Sequence, residues 1–194
     1  MSLFFFFTIS SSLKTLADNA ELLEVRSFFN SIKTIESDFI QESNSSLISA
    51  GTFFLKKPSK FRFSYDPPFE LEIVSHLQAI LIFDPKNKTG PITYPISGSP
   101  FKYLLKEKFD IPSHYLERFF AENNTLYIRL KMKNIDKNIL TLKFQNDPIS
   151  LKGWEIKNSV GEITKVTLHN VKINKYISDQ IFNLEQDYKK LKNR

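Results

Sequence analysis

The sequence contains no cysteine and only three histidines. The lack of cysteine excludes disulfide bonds, thiol catalysis, cysteine-based zinc sites and lipid attachment to an N-terminal cysteine. The histidines, His76, His114 and His169, are scattered without metal-ligand spacing, so we expect no metal site. Phosphate-binding glycine loops, nucleophile elbows and helical zinc motifs are also absent. These absences argue against an enzyme and against a bound cofactor.

Long apolar runs are absent too, so the sequence predicts no membrane-spanning helix. The short run from Leu3 to Ile9 resembles the core of a secretory signal peptide, with Ala17 as the last residue before cleavage. No lysine or arginine precedes it, however, and Lys14 lies close to the cleavage zone. Two interpretations of residues 1–17 therefore stay open, an export signal or a disordered tail. Residues 18–194 are predicted to form a single domain.

Strong charge is also missing, because the formal net charge is only +6 over 194 residues and the basic residues are scattered. This charge permits contact with anionic lipid or acidic partners. A sheet that binds nucleic acid carries aromatic and basic side chains on the same face. Arg62 alternates with Phe61 and Phe63, and in a strand it would point away from them. We therefore expect no nucleic-acid partner, and we expect a monomer.

Phenylalanine, by contrast, occurs 19 times, and the stretch from Gly51 to Pro68 is rich in it. Its aromatic and aliphatic residues alternate in two runs, which a Lys-Pro-Ser-Lys turn separates. The alternating residues are Phe53 and Leu55 in the first run and Phe61, Phe63 and Tyr65 in the second. Two paired strands would combine them into one broad apolar wall. Such a wall belongs either to a filled core or to a cavity for an apolar ligand.

The rest of the chain predicts an α+β fold. A capping-box pattern at Asp18 predicts a helix that ends near Lys33, and Ser99-Pro100 predicts the start of a second, short helix. Alternating apolar residues predict many consecutive strands, the last of them from Ile181 to Leu184. The simplest packing is a highly curved antiparallel sheet, an incomplete β-barrel. The N-terminal helix and short helices would form a lid over a hydrophobic cavity.

Several short motifs follow one another in a specific order and spacing. They are Phe39-Ile40-Gln41, the stretch from Gly51 to Pro68, Ile73-Val74-Ser75, Phe83-Asp84-Pro85, the segment from Ser99 to Leu105, Leu151-Lys152-Gly153-Trp154, and Gly161-Glu162-Ile163-Thr164. In this order they resemble the LolA family of outer-membrane lipoprotein carrier proteins. The resemblance extends from about Asp18 to Glu185.

The resemblance implies a periplasmic, non-catalytic chaperone that shuttles lipoproteins from the inner to the outer membrane. It implies acylated lipoproteins as ligands, an inner-membrane ABC transporter of the lipoprotein-release type as a partner, and an outer-membrane lipoprotein receptor as a further candidate. The residues that we expect to bind acyl chains are Phe53, Leu55, Phe61, Phe63, Tyr65, Ile73, Ile82, Phe101, Leu104, Leu105 and Trp154. The alternative is a non-catalytic binding or interaction domain of the same half-barrel fold for another lipid or hydrophobic ligand.

The chain departs from the family pattern at three places. Lys57 occupies the position of an arginine that holds the lid closed through lid carbonyls, so Lys57 is the candidate latch. Lysine lacks the planar fork of arginine, and we expect a weaker or differently shaped latch. Phe63 stands where the family often has tryptophan, and His76-Leu77 replaces an Asp-Gly turn.

Overall fold

The computed structural model describes residues 9–44, 47–76, 78–87, 89–99, 101–109, 115–131 and 138–183. Within them lie two α-helices, α1 (Ile9–Ser31) and α2 (Phe101–Leu104), and two 3-10 helices, Ile96–Gly98 and Asp179–Phe182. The strands are β1 (Thr34–Ser43), β2 (Ile48–Lys56), β3 (Lys60–Tyr65), β4 (Glu72–His76), β5 (Ala79–Phe83), β6 (Ile92–Pro95), β7 (Leu116–Glu122), β8 (Thr125–Lys131), β9 (Ile139–Gln145), β10 (Ser150–Lys157) and β11 (Ile163–Ile173).

All of these strands belong to one antiparallel sheet in the order β6-β5-β4-β3-β2-β1-β11-β10-β9-β8-β7. Strands that follow one another along the chain are neighbours in the sheet, except β6 and β7, which lie at opposite edges. The first and last strands, β1 and β11, pair with each other and join the two halves. In the described residues β6 and β7 are the edge strands, so the sheet is not closed. The predicted incomplete antiparallel barrel with an N-terminal helix is confirmed.

The two faces of the sheet differ as the alternation predicts. On the inner face, Phe61 and Phe63 of β3 are buried in the main core, which also includes Phe29 of α1. On the outer face, the Nε of Arg62 donates a hydrogen bond to Oε2 of Glu72 at 2.8 Å. Gly51 of β2 lies opposite Tyr65, and a β-carbon there would clash with the backbone carbonyl of Ser64. The close approach of β2 and β3 therefore requires glycine.

A second, smaller core lies on the outer face of β2 to β5. It consists of Val74, Phe83, Ile177 and Phe182, so the segment after β11 folds back across the strands. Arg62 ties this segment down, because its guanidinium donates to the carbonyl of Ile181 at 2.7 Å. Of the apolar outer residues of these strands, Val74 and Phe83 are thereby buried, and Phe54 and Leu81 are partly buried.

Helix α1 begins earlier than predicted. The sequence predicts a start at Asp18, whereas α1 starts at Ile9. No proline or glycine lies between Ile9 and Asp18, so the capping box does not have to begin a new helix. The helix ends at Ser31, where Asn174 accepts a hydrogen bond from the amide of Lys33 and donates one to the carbonyl of Ser31.

The predicted strand from Ile181 to Leu184 is wrong. The chain forms the 3-10 helix Asp179–Phe182 instead, and the hydroxyl of Ser178 caps it by accepting from the amide of Gln180. A serine before an acidic first turn favours a helical start, and this signal outweighs the few apolar residues that follow. Leu184 itself lies outside the described residues.

In the described part of the chain, no helix combines the length and the apolar character needed to cross a membrane.

Candidate functional site

A cavity of about 420 Å³ opens on the inner face of the sheet, between β3 to β6 on one side and β10 and β11 on the other. Its lining consists of Gln41, Phe61, Phe63, Tyr65, Ile73, Ile80, Ile82, Tyr94, Pro95, Ser99, Asn138, Trp154, Ile156, Thr164 and Val166. Most of these residues are apolar or aromatic, and none of the described ones carries a charge. The volume lies within the usual range for small-molecule sites. We call this space the aromatic cavity.

Phe63 lies at the centre of the aromatic wall. Its ring centroid is 4.6 Å from that of Phe53, 5.3 Å from that of Phe39 and 6.0 Å from that of Trp154. Phe39 and Trp154 meet it edge to face, an arrangement that aromatic quadrupoles favour. Phe39 comes from β1 and Trp154 from β10. The wall is therefore a packed unit that both halves of the sheet hold in place.

The structure brings six of the eleven expected binding residues together around the cavity. These are Phe61, Phe63, Tyr65, Ile73, Ile82 and Trp154. Four others are buried in the main core instead: Phe53, Leu55, Leu104 and Leu105. For Phe101, the side chain lies outside the part that the structure describes.

Sequence reasoning missed the contributions of β1, β6 and β11. Gln41 lies two residues after Phe39 and so faces inward, a position that alternation alone would have shown. Thr164 and Val166 of β11 follow the same rule. Tyr94 is half exposed at the edge strand β6, and nothing in its short run indicates that it borders a cavity.

Tyr65 is one of the few residues that bring a polar group into this largely apolar space. Its hydroxyl donates to Oε1 of Gln41 at 2.9 Å. Burial raises the pKa of Tyr65 to about 12, while the hydrogen bond with Gln41 lowers that pKa to a smaller extent. The phenol is therefore neutral at physiological pH and remains a hydrogen-bond donor.

The comparisons with known proteins agree with this arrangement. The family model described as outer membrane lipoprotein carrier protein LolA matches residues 30–185. The chain belongs to the LolA family. An outer-membrane lipoprotein carrier protein of Francisella tularensis is 28% identical over 193 residues, which cover 93% of this chain and 90% of that protein. Another such carrier protein, from Methylococcus capsulatus, is 22% identical over 174 residues, which cover 86% of this chain and 84% of that protein.

The fold is found in solved structures as well. The crystal structure of an uncharacterized conserved protein from Thermus thermophilus matches with a TM-score of 0.51 at 9% identity, covering 87% of this chain and 95% of that one. The LolA match begins at Asn30, in the last turn of α1, and extends beyond β11. It therefore includes every strand that contributes to the aromatic cavity.

In this LolA-family chain, the segment around α2 closes the end of the sheet next to the β2–β3 turn. Leu104 and Leu105 are buried, and the carbonyl of Leu105 accepts from the amide of Ser59 at 2.8 Å. The ring of Phe109 packs in a tilted arrangement against that of Phe29 in α1, with 4.4 Å between the ring centroids. Since Ser99 lines the cavity, the same segment borders the cavity at one end and enters the core at the other.

Lys57 makes a different contact from the one that the family resemblance implies. Its Nζ donates to the backbone carbonyl of Phe29 at 2.6 Å and lies 4.6 Å from the centre of that ring. The described hydrogen bond thus goes to the last turn of α1 rather than to α2. The partial negative charge at a helix C-terminus favours the ammonium group, whereas burial lowers the pKa of Lys57 to about 8.

Within the described residues, no group of three or more acidic or histidine side chains is placed to hold a metal ion. The second residue of the expected His76-Leu77 turn, Leu77, lies outside the described part of the chain.

Proposed function

We propose that this protein carries acyl chains of lipoproteins in the aromatic cavity. The observation that carries the proposal is an uncharged, largely apolar cavity of about 420 Å³ in a member of the LolA family. Each methylene group that leaves water for an apolar site contributes about 0.8 kcal/mol. A long acyl chain therefore gains more from such a cavity than from any single polar contact, and binding needs no covalent step.

The finer role that we propose is transport between membranes. The protein receives a lipoprotein from an inner-membrane ABC transporter of the lipoprotein-release type, crosses the periplasm and delivers the lipoprotein to the outer membrane. An outer-membrane lipoprotein receptor is the corresponding partner on delivery. Family membership and the carrier names of the Francisella and Methylococcus relatives support this role.

A displacement experiment tests the carrier function. A fluorescent fatty-acyl probe is bound to the protein, and a triacylated lipopeptide is added, with the same peptide lacking acyl chains as the control. We expect the lipopeptide to displace the probe and the bare peptide to leave it bound, since the acyl chains supply the binding free energy. A protein that binds neither probe nor lipopeptide has a filled core, and the proposal is then wrong. Displacement by phospholipid but not by lipopeptide would show a carrier for another lipid.

A further inference from the structure

At one end of the sheet, the lining of the aromatic cavity changes from apolar side chains to four uncharged polar ones. They are Gln41, Tyr65, Asn138 and Thr164, and we call them the polar ring. Gln41 and Thr164 lie near the ends of β1 and β11 that pair with each other, where Ser43 is opposite Thr164. Asn138 immediately precedes β9. The start of β9 pairs with Lys157, the last residue of β10, at this same end of the sheet. Tyr65 is the last residue of β3.

The polar ring has hydrogen-bonding capacity that the described protein contacts leave unused. Oδ1 of Asn138 is buried and has no hydrogen-bond partner among the described residues. Oε1 of Gln41 accepts from Tyr65, but the described contacts give no acceptor to the Gln41 amide nitrogen, which can donate two hydrogen bonds. A buried polar group without a partner is costly. The ring is therefore suited to a ligand that brings polar atoms of its own.

We infer that the polar ring is a subsite for the ester, amide and hydroxyl groups that link acyl chains to a lipoprotein. This inference rests on the proposed function and adds to it a selection by head-group chemistry. Ester and amide carbonyls accept from Gln41 and from hydroxyls, while an amide N–H donates to Oδ1 of Asn138. The chains then extend from the ring along Phe63 and Ile82.

The absence of charge makes the subsite selective. No described lining residue carries a positive charge, so a phosphate or a free carboxylate would enter this end without a counter-ion. Burying an ionised group without a partner is far more costly than burying an ester. Neutral acylglycerol linkages are therefore favoured over phospholipid head groups and free fatty acids.

The test compares two lipopeptides with the same chains, one joined through ester bonds and one through ether bonds. The ether form lacks the carbonyl acceptors but keeps the apolar surface. One net hydrogen bond corresponds to about three- to tenfold in affinity. We expect the wild type to bind the ester form tighter by that factor. We expect Gln41→Met to remove most of this preference and to leave the affinity for the ether form nearly unchanged.

Matched variants separate recognition from packing. Gln78→Met is the control, because Gln78 is exposed and does not line the aromatic cavity. Asn138→Leu is the second ring variant, tested against an ester lipopeptide with and without an amide-linked third chain. Thermal unfolding shows whether each variant is folded.

Three outcomes would overturn the inference. The first is equal affinity of the wild type for the ester and ether forms. The second is that Gln41→Met weakens the binding of both forms equally. The third is that Gln78→Met removes the ester preference as Gln41→Met does. If the wild type binds neither lipopeptide, the carrier function itself is wrong.

Discussion

Phe63 shows how one side chain serves both the core and the cavity. It is only 4% exposed and contacts the rings of Phe53 and Trp154, yet one part of it lines the cavity. The sequence alone predicts that Phe63→Glu abolishes ligand binding and leaves the fold largely intact. With these contacts, a carboxylate at that position is also expected to disturb the core. A half-buried lining residue gives a cleaner test.

Ile82→Glu is that test. Ile82 lines the cavity from β5 and is only partly buried, so a carboxylate there can reach water when the cavity is empty. Occupation by an acyl chain would bury the charge, and we expect the affinity for acylated peptide to fall at least tenfold. The measurement is displacement of a fluorescent acyl probe.

Ile40→Glu is the matched control, since Ile40 is 37% exposed on a strand and is not part of the cavity lining. It should bind acyl chains like the wild type. Equal affinities for both variants and the wild type would place the ligand elsewhere.

Because the ammonium group of Lys57 is partly buried, the stability of the folded protein should depend on pH. The pKa of Lys57 is about 8 in the folded protein and near 10.5 in the unfolded chain. Between these values the unfolded chain holds a proton that the folded protein has released, so the free energy of unfolding rises with pH. Lys57→Met lacks this effect. We expect the melting temperature of the wild type, relative to Lys57→Met, to be higher at about pH 10 than at about pH 7. A difference that does not change with pH would contradict the partial burial of this ammonium group.

Among the elements, the strands of the first half could be predicted because their alternation is nearly uninterrupted. The β2–β3 hairpin follows from two aromatic runs around a Lys-Pro-Ser-Lys turn. The start of α1 could not be predicted, because a capping-box pattern inside a continuous helix has the same sequence as one at its start. The 3-10 helix Asp179–Phe182 was missed because its apolar residues pack on the outer face of the sheet, which alternation does not reveal.

The cavity could be predicted only in part, for a topological reason. The pairing of β1 with β11 brings Gln41 opposite Val166, more than a hundred residues later in the chain. Local pattern fixes which face a residue takes, but it does not say which distant strand completes the site. The inward direction of Phe61 could therefore be predicted from its own strand, whereas the fact that Ile156 and Val166 line the same cavity could not.

In the segment that contains α2, the backbone amides should exchange hydrogen at a different rate when ligand is bound. We propose that this segment is a lid, closed here with Leu104 and Leu105 buried and with the Ser59 amide bonded to Leu105. A ligand shifts the lid only if it binds the open form better. We expect amides of residues 101–105 to exchange faster in protein loaded with an acylated peptide than in empty protein. Amides of β8, none of whose residues lines the cavity, serve as the internal control. Identical exchange with and without ligand would refute the lid.

At the scale of the whole molecule, two hydrophobic cores hold the sheet together while the apolar lining of the aromatic cavity stays unfilled. A cavity costs stability because its lining lacks contacts on one side. The outer cluster of Val74, Phe83, Ile177 and Phe182 buries the opposite face of the same strands. The ion pair of Arg62 with Glu72 joins neighbouring strands there, and both side chains are largely buried. The wall formed by β3 to β5 is thus supported from outside and does not depend on a ligand for its shape.

The most direct test of the account locates the bound acyl chain. A lipopeptide with a photoreactive diazirine at the end of one acyl chain is bound to the protein, irradiated and mapped by mass spectrometry. The account predicts labelled peptides from the inner face, at Phe61 to Tyr65, Ile73, Ile82 and Trp154, and competition by unlabelled lipopeptide. Labelling confined to exposed sites such as Val160, or to the outer face around Ile40, would contradict the claim that the aromatic cavity holds acyl chains.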